Sequence, residues 1–317
     1  MKKIVVLGGG TGLSVLLRGL KQFPLDITAI VTVADDGSSS GRLREEFDIF
    51  AVGDLRNVLV SLSEVEPLIE DLLQYRFVTD SSLNNHPMGN LLLTALYNIT
   101  GNLTESLRSL SKIFNIKGTI LPFTEENPVL IAHTTDGKII EGESNITKVG
   151  KEIDYIEYKN EVKPTKEVIK AIDEADLIIF GIGSLYTSII PNLLSKEVVE
   201  SLKNSKAKKM YVCNIMSEHG ETDNYKVSDC IKKINSYVKE DLIDVVVVNN
   251  KKVPDDIKER YLGEIAGQID IDYDVLNDMN VEIIEDELLY ISEKKKVRHD
   301  PYRTALAIFN YIVKELK

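Results

Sequence analysis

Three groups of residues in this chain have the types and spacing to hold a phosphorylated ligand. The first is Gly8-Gly9-Gly10-Thr11-Gly12, behind the apolar run Ile4 to Leu7 and ahead of the helix-periodic LSVLLRGL. A strand that breaks at glycines and turns into a helix leaves unpaired N–H groups and partial positive charge at the helix start. Glycine also lets a phosphate approach the backbone with no Cβ in the way. The second group is Asp35-Asp36-Gly37-Ser38-Ser39-Ser40, followed by Arg42 and Arg44. Paired carboxylates there could hydrogen-bond ribose or sugar hydroxyls, or hold Mg²⁺ together with a diphosphate. The third is Gly181-Ile182-Gly183-Ser184 after the run LIIF, where Ser184, Thr187 and Ser188 supply hydroxyls for a second phosphate or a sugar.

The elements that must position these groups read as follows. Ile27 to Asp36 is a second buried strand, so the chain opens with strand, glycine turn, helix and acid-ended strand, the start of a dinucleotide-binding unit. The strict G-x-G-x-x-G spelling is not met, because the last position falls on Leu13 or Val15, and Asp35 comes 25 residues after Gly10. NAD folds place that acid about 20 residues on. Further strands are expected at the head of Asp176–Leu194, at Lys208–Thr222 and at Asp244–Asn250, with Val281–Asp286 as an edge strand. Lys208–Thr222 ends in the polar residues Asn214, Glu218, His219 and Glu221. Helices are expected from Gly53 to Tyr75, after Pro87 as first helical residue, over Asn102–Phe114, from Pro164 to about Ala175, over Asp229–Val238, and from Asp300-Pro301 to the end. Asp54 reads as a helix cap and His86 as a loop histidine. Strands separated by helices imply an α/β fold, a Rossmann-like doubly wound, mostly parallel sheet.

Residues 117–160 break the pattern with β-rich pieces around Asp136-Gly137, a hairpin turn. This antiparallel excursion is too short and thinly apolar to carry its own core, so residues 1–317 are read as one domain. Across the 317 residues, 38 basic against 50 acidic side chains leave a net charge of −12, which argues against a broad nucleic-acid surface. Two cysteines, Cys213 and Cys230, are too few for a disulfide framework or a cysteine-rich zinc site. The charged start MKKIVVL loses its apolar run at Gly8, unlike a signal peptide. No stretch nears the roughly 18 apolar residues of a membrane span. A cytoplasmic location is expected.

Familiar catalytic spellings fail. A phosphate-loop NTPase needs Gly-Lys-Ser/Thr after the glycines, and here no lysine comes before Lys21. The Tyr-x-x-x-Lys spacing of short-chain dehydrogenases occurs at Tyr290–Lys294, in a charged, extended segment. The histidines at 86, 133, 219 and 299 form no i,i+4 pair, and no Cys-x-x-Cys exists. From the residues alone, NAD, another phosphorylated nucleotide or sugar, and a diphosphate with Mg²⁺ stay open as ligands.

Seven motifs then occur in order: GGGTGLS (Gly8–Ser14), VTVADDGSSSGRLR (Val31–Arg44), GDLRN (Gly53–Asn57), MGNLLL (Met88–Leu93), GIGSLYTSIIPNLL (Gly181–Leu194), CNIM with HGET (Cys213–Thr222) and HDP (His299–Pro301). Together they resemble the YvcK-type gluconeogenesis factors of the CofD-like superfamily. The resemblance implies a CofD-like fold and a cytoplasmic regulatory protein that binds UDP-sugars such as UDP-N-acetylglucosamine, with no cofactor required. It further implies links to gluconeogenic growth, cell shape and cell-wall precursor metabolism, with cell-wall or cell-shape proteins and a homo-oligomer among the partners to consider. The alternative is the transferase of the sister branch, which moves a phospholactyl group from a guanosine diphosphate donor with Mg²⁺, here at Asp35 and Asp36. Carried over by position, Gly9, Gly10, Thr11, Gly12 and Leu13 form a first ligand cradle. Gly183, Ser184, Tyr186, Thr187, Ser188 and Asn192 form a second. Asp35 and Asp36 meet hydroxyls or metal, Asn90 and Asn214 offer amides, and Arg303 with Thr304 would meet a ligand phosphate or a neighbouring subunit. No catalytic base is apparent.

Overall fold

A central sheet of parallel strands organises the chain in the computed structural model, which describes residues 1–64, 67–263 and 265–316. Its first half runs β1 Lys2–Gly8, α1 Gly10–Leu20, β2 Leu25–Val31, α2 Ser38–Phe47, α3 Gly53–Leu62, α4 Pro67–Gln74, α5 Met88–Thr100, α6 Leu103–Ile113 and β3 Thr119–Pro122. The excursion follows as β4 Leu130–Thr134, β5 Ile139–Glu141, α7 Glu143–Val149 and β6 Ile153–Tyr158. The second half runs α8 Lys166–Asp173, β7 Leu177–Phe180, α9 Lys196–Asn204, β8 Lys208–Val212, α10 Val227–Val238, β9 Val245–Asn249, α11 Asp255–Leu262, α12 Tyr273–Asp278 and β10 Glu282–Asp286. A hairpin of β11 Leu289–Ile291 and β12 Val297–His299 leads into α13 Pro301–Glu315.

The sheet order is β10-β9-β8-β7-β1-β2-β3, every pair parallel. The chain starts at the centre, winds outward through β2 and β3, then returns to the other side of β1. The winding direction therefore reverses between β1 and β7, and such a switch point opens a crevice at the carboxyl ends of the strands. β1 also explains its own composition. Ile4 and Val6 enter one apolar cluster with α1 and α13, while Val5 and Leu7 enter the other with α9 and α10. A strand covered on both faces reads as a continuous apolar run, not an alternating one.

The expected doubly wound α/β sheet is what the chain forms, with β10 at its edge and the hairpin turn at Asp136-Gly137 between β4 and β5. Three local readings differ. β2 stops at Val31, so Asp35 and Asp36 stand on a loop beyond the strand. Pro87 precedes α5 rather than opening it. The expected excursion loses its first piece, because β3 joins the central sheet parallel to β2; the rest pairs as β5-β4-β6, but Glu143–Val149, read as β-rich, is a helix. Its first turn is held by Asp36, whose carboxylate accepts from the Ser144 N–H at 2.8 Å and from the Ser144 hydroxyl. That cap comes from 108 residues away, so local sequence could not carry it. The excursion's Leu130, Ala132, Ile146 and Ile156 join the cluster of Val5 and Leu7. No helix among the described residues is long and apolar enough to cross a membrane.

One contact fixes the two terminal helices. A methyl group at Gly19 on α1 would overlap the Pro301 carbonyl at the start of α13 and press on Ala305. Overpacking of this kind costs about 1–3 kcal/mol. Gly19→Ala is expected to lower the melting temperature by roughly 2–8 °C, while Gly267→Ser, at an exposed glycine with open space around it, changes it less. Calorimetry of the two variants checks this.

Candidate functional site

The switch point brings the two glycine turns into contact. Gly12, in the first turn of α1, lies so close to the strand-end loop that a Cβ would overlap the Ile182 carbonyl oxygen. Only glycine permits that approach. The Asn214 side-chain amide, past β8, donates to the Gly183 carbonyl at 2.8 Å and ties the third strand end to the second. Over these loops lies a cleft of about 650 Å³. Its floor is Gly10, Thr11, Gly12, Gly183, Ser184 and Asn214, with Asp35 beyond β2 and Thr187 and Ser188 behind Ser184.

Nine of the expected residues thus meet on one cleft. The others stand behind it. Leu13 is fully buried in the core. Gly9 backs onto Thr32 and Asp54. The Tyr186 hydroxyl donates to the Ile153 carbonyl at 3.1 Å and sits 3.2 Å from the Tyr225 hydroxyl. Asn192, fully buried, donates to the carbonyls of Ser188 and Ile189 and braces the second turn from below. Asn90 donates to the Ser39 hydroxyl, which also pairs with His86 Nδ1 at 2.8 Å. Asp36 holds α7 as described, leaving Asp35 to face the cleft. Arg303 is exposed and pairs with Glu287, 3.8 Å away on the other side of the β11–β12 hairpin. It is not among the cleft residues. Side chains on a turn alternate between ligand and core, and residue type does not say which way each points.

Sequence reasoning passed over Asp54, Glu143 and Arg298 as site residues and named Glu218, Glu221 and His299 without a role. Asp54 is not the cap expected from sequence: Val52 holds that position in α3 with no side-chain cap bond, and Asp54 is the second residue of the helix. Its carboxylate crosses to α1 and accepts the Gly10 N–H at 2.6 Å. Burial, then the charge of Asp35, pushes the Asp54 carboxyl up to about 6 against the opposing Gly10 hydrogen bond. Glu143 opens α7 on the far wall, and burial with the charges of Asp35 and Asp54 pushes it up to about 8. Glu221, which accepts the Tyr186 N–H at 3.0 Å, is pushed up to about 8 by burial and by Glu218. Glu218 is raised mainly by burial, although it accepts the Ser184 hydroxyl and feels the positive Arg298. Among the described lining residues Arg298 is the one arginine or lysine. The sequence signal for it was the basic run EKKKVRHD, which carried no position. His299 is held neutral, its affinity for a proton lowered to about 4 by burial. Its Nε2–H donates to the Cys213 carbonyl at 3.1 Å, because a carbonyl can only accept.

The cleft is therefore a carboxylate-rich groove floored by glycine turns. Among the described residues no three His, Cys, Asp or Glu side chains converge as a metal cage. Asp36 is engaged elsewhere, so a cation at this end would meet Asp35 with Asp54. The charge pattern fixes a pH dependence. A carboxyl whose proton affinity rises on folding stabilises the native state below its unfolded value, near 4.5 for Glu143 and Glu221, and that contribution is lost as pH climbs through about 8. The unliganded protein is expected to melt lower at pH 8.5 than at pH 6.5. Glu143→Gln and Glu221→Gln should each recover roughly 2–4 °C at pH 8.5 and little at pH 5. A flat melting profile for wild type would refute the buried-carboxyl account.

Comparison with known proteins places this geometry. Residues 4–289 match the family model described as 2-phospho-L-lactate transferase CofD. The chain is 47% identical over 304 residues to the gluconeogenesis factor of Bacillus subtilis, covering 96% of each protein. It is 45% identical over 308 residues to that of Halalkalibacterium halodurans, covering 97% of this chain and 95% of the other. A crystal structure of protein BH3568 from Bacillus halodurans superposes with a TM-score of 0.94 at 45% identity, over 97% of this chain and 99% of that one. The strand order, the paired glycine turns and these matches have one reading: the chain belongs to the CofD family, on its gluconeogenesis-factor branch.

Proposed function

We propose that this protein binds a UDP-activated sugar, such as UDP-N-acetylglucosamine, as a cytoplasmic regulator of growth on gluconeogenic carbon, and does not turn it over. The observation that carries the reading is the pairing of two glycine turns with a wall of carboxylates in one cleft. Backbone N–H groups and Arg298 suit a diphosphate. Carboxylates suit the hydroxyls of a sugar, which donate to them. The name gluconeogenesis factor, borne by relatives at 47% and 45% identity, supports the metabolic setting. Links to cell shape and cell-wall precursor supply follow from the same reading, because activated amino sugars feed wall synthesis.

A second reading is a CofD-like transferase that uses a nucleoside diphosphate donor and Mg²⁺. It is favoured by the matching family model and by Asp35 and Asp54 facing the cleft together. Phosphoryl-linked transfer needs positioning and charge stabilisation more than a general base. NAD is the competing ligand for the same turns.

The two readings separate in a thermal-shift panel of UDP-N-acetylglucosamine, GDP and NAD, each with and without Mg²⁺. A ligand at 100 times its Kd stabilises by about 2.7 kcal/mol, a shift of several degrees. The UDP-sugar is expected to raise the melting temperature without metal and to be recovered intact after long incubation. Its affinity should fall above pH 8, where Glu143 and Glu221 ionise and repel the diphosphate. Metal-dependent GDP binding with product formation would replace the regulator by the transferase.

A further inference from the structure

The cleft differs in chemistry along its length. Strands β2, β1, β7 and β8 end side by side in that order, so Asp35 beyond β2 and Met216 beyond β8 stand at opposite ends. At the β2 end the wall is Thr32, Asp35, Asp54, Glu143 and Thr147, and none of these five is an apolar residue. At the β8 end Ile215, Met216, Tyr261, Ala266 and Val297 form an apolar face, next to Ser217 and to Glu218, whose carboxylate turns back to the Ser184 hydroxyl past β7. The Tyr261 ring packs on a small separate cluster of Ile215, Val253, Ile257, Leu289 and Val297. Its hydroxyl accepts the Val297 N–H at 2.8 Å, which fixes the ring. Between the two ends lie the glycine turns and Arg298.

A nucleotide sugar presents the same succession of chemistries: a flat base, a charged diphosphate and a polyhydroxylated ring. We infer that the nucleotide lies along the cleft with its base on the Tyr261–Met216 wall, its diphosphate over the glycine turns beside Arg298, and its sugar against Asp35, Asp54 and Glu143. This orientation rests on the nucleotide-sugar reading above and adds a direction to it. The opposite placement would press a base onto carboxylates with no ring to stack on. It would also set most sugar hydroxyls against methionine, isoleucine and valine, with Ser217 and Glu218 at the margin of that face, and burying hydroxyls there without partners is costly. NAD-binding folds of similar topology give the acid after their second strand to the nucleoside ribose. Here that acid serves the other end of the ligand. Tyr261 is thereby the residue that selects for a nucleobase, and Glu143, brought in by the excursion, the one that reads the sugar.

The test compares UDP with UDP-N-acetylglucosamine by titration calorimetry on the full chain. Base–aromatic stacking and hydrogen bonds to carboxylates are each strong enough to give about tenfold effects. Tyr261→Ala is expected to weaken both ligands about tenfold, and Tyr261→Phe, which keeps the ring, to bind both as wild type does. Glu143→Ala is expected to weaken UDP-N-acetylglucosamine about tenfold and to leave UDP unchanged or tighter. Met216→Ala, measured beside Tyr261→Ala, reports on the same wall should the tyrosine variant melt early, and should weaken both ligands alike. The crossed pattern, with Glu143→Ala weakening UDP and Tyr261→Ala sparing it, would reverse the orientation. Equal losses in all variants, or none, would overturn it as well. Wild-type protein that binds neither ligand removes the nucleotide-sugar reading itself, and the orientation falls with it.

Discussion

The hydrogen bond from the Gly10 N–H to the Asp54 carboxylate is the contact on which the site depends. In dinucleotide folds the N-terminus of the first helix is the seat of a pyrophosphate. Here the protein's own carboxylate already occupies one of its donors. That single arrangement links α1 to α3 across 44 residues, puts a negative charge at the base of the cleft and draws Asp35 into the same field. A diphosphate must then sit further along, over the remaining turn and towards Gly183 and Arg298. The floor that makes this shift feasible is the close approach of Gly12 to Ile182, which merges the two turns into one surface.

The excursion completes the design by supplying the wall that faces the sheet. Its helix α7 is capped by Asp36, the neighbour of the cleft-facing Asp35. One dipeptide therefore does two jobs: one carboxylate faces the cleft and the other positions Glu143. Under the proposed function, loss of Asp36 would act on binding through the placement of α7, since its carboxylate is engaged by Ser144; the sequence suggests a direct hydroxyl contact instead. Burial of Glu143 between Asp35, Asp54 and Glu218 makes it hold its proton into the neutral range. A neutral carboxyl both donates and accepts, which fits a sugar hydroxyl or amide better than a bare anion would.

The strands and the switch point were legible because they are encoded locally. Runs such as IVVL, LIIF and VVVV announce strands buried on both faces, and glycine turns at two of their ends announce where a ligand goes. Gly10, Gly12, Asp35, Ser184 and Asn214 followed directly, and all of them line the cleft. What stayed hidden is non-local. Asp54 has the spelling of a helix cap, and its partner is on another helix. Glu143 lies in a stretch with β-like composition whose helix is nucleated from the Asp36 loop. Arg298 is one of several cations in a basic run, and only the β11–β12 hairpin distinguishes it. Arg303, five residues on, had the better motif and points to Glu287 instead.

An acidic protein with an acidic cleft is an unlikely host for an anionic ligand if charges are merely counted, and the structure resolves that by where the charges sit. The diphosphate region holds backbone dipoles and a guanidinium, whose hydrogen bonds to phosphate are charge-assisted and need no broad basic patch. Glu143 and Glu221 hold their protons near neutral pH, which removes part of the repulsion, and Asp35 and Asp54 stand at the β2 end, while Glu218 lies within the field of Arg298. Charge separation along a cleft of this kind would orient the proposed ligand as well as bind it, because turning it end for end would bring its base onto Asp35 and Asp54. The net charge of −12 disfavours polyanions such as nucleic acid at the surface, while the proposed ligand is a small anion that carries hydroxyls for the acid end of the cleft.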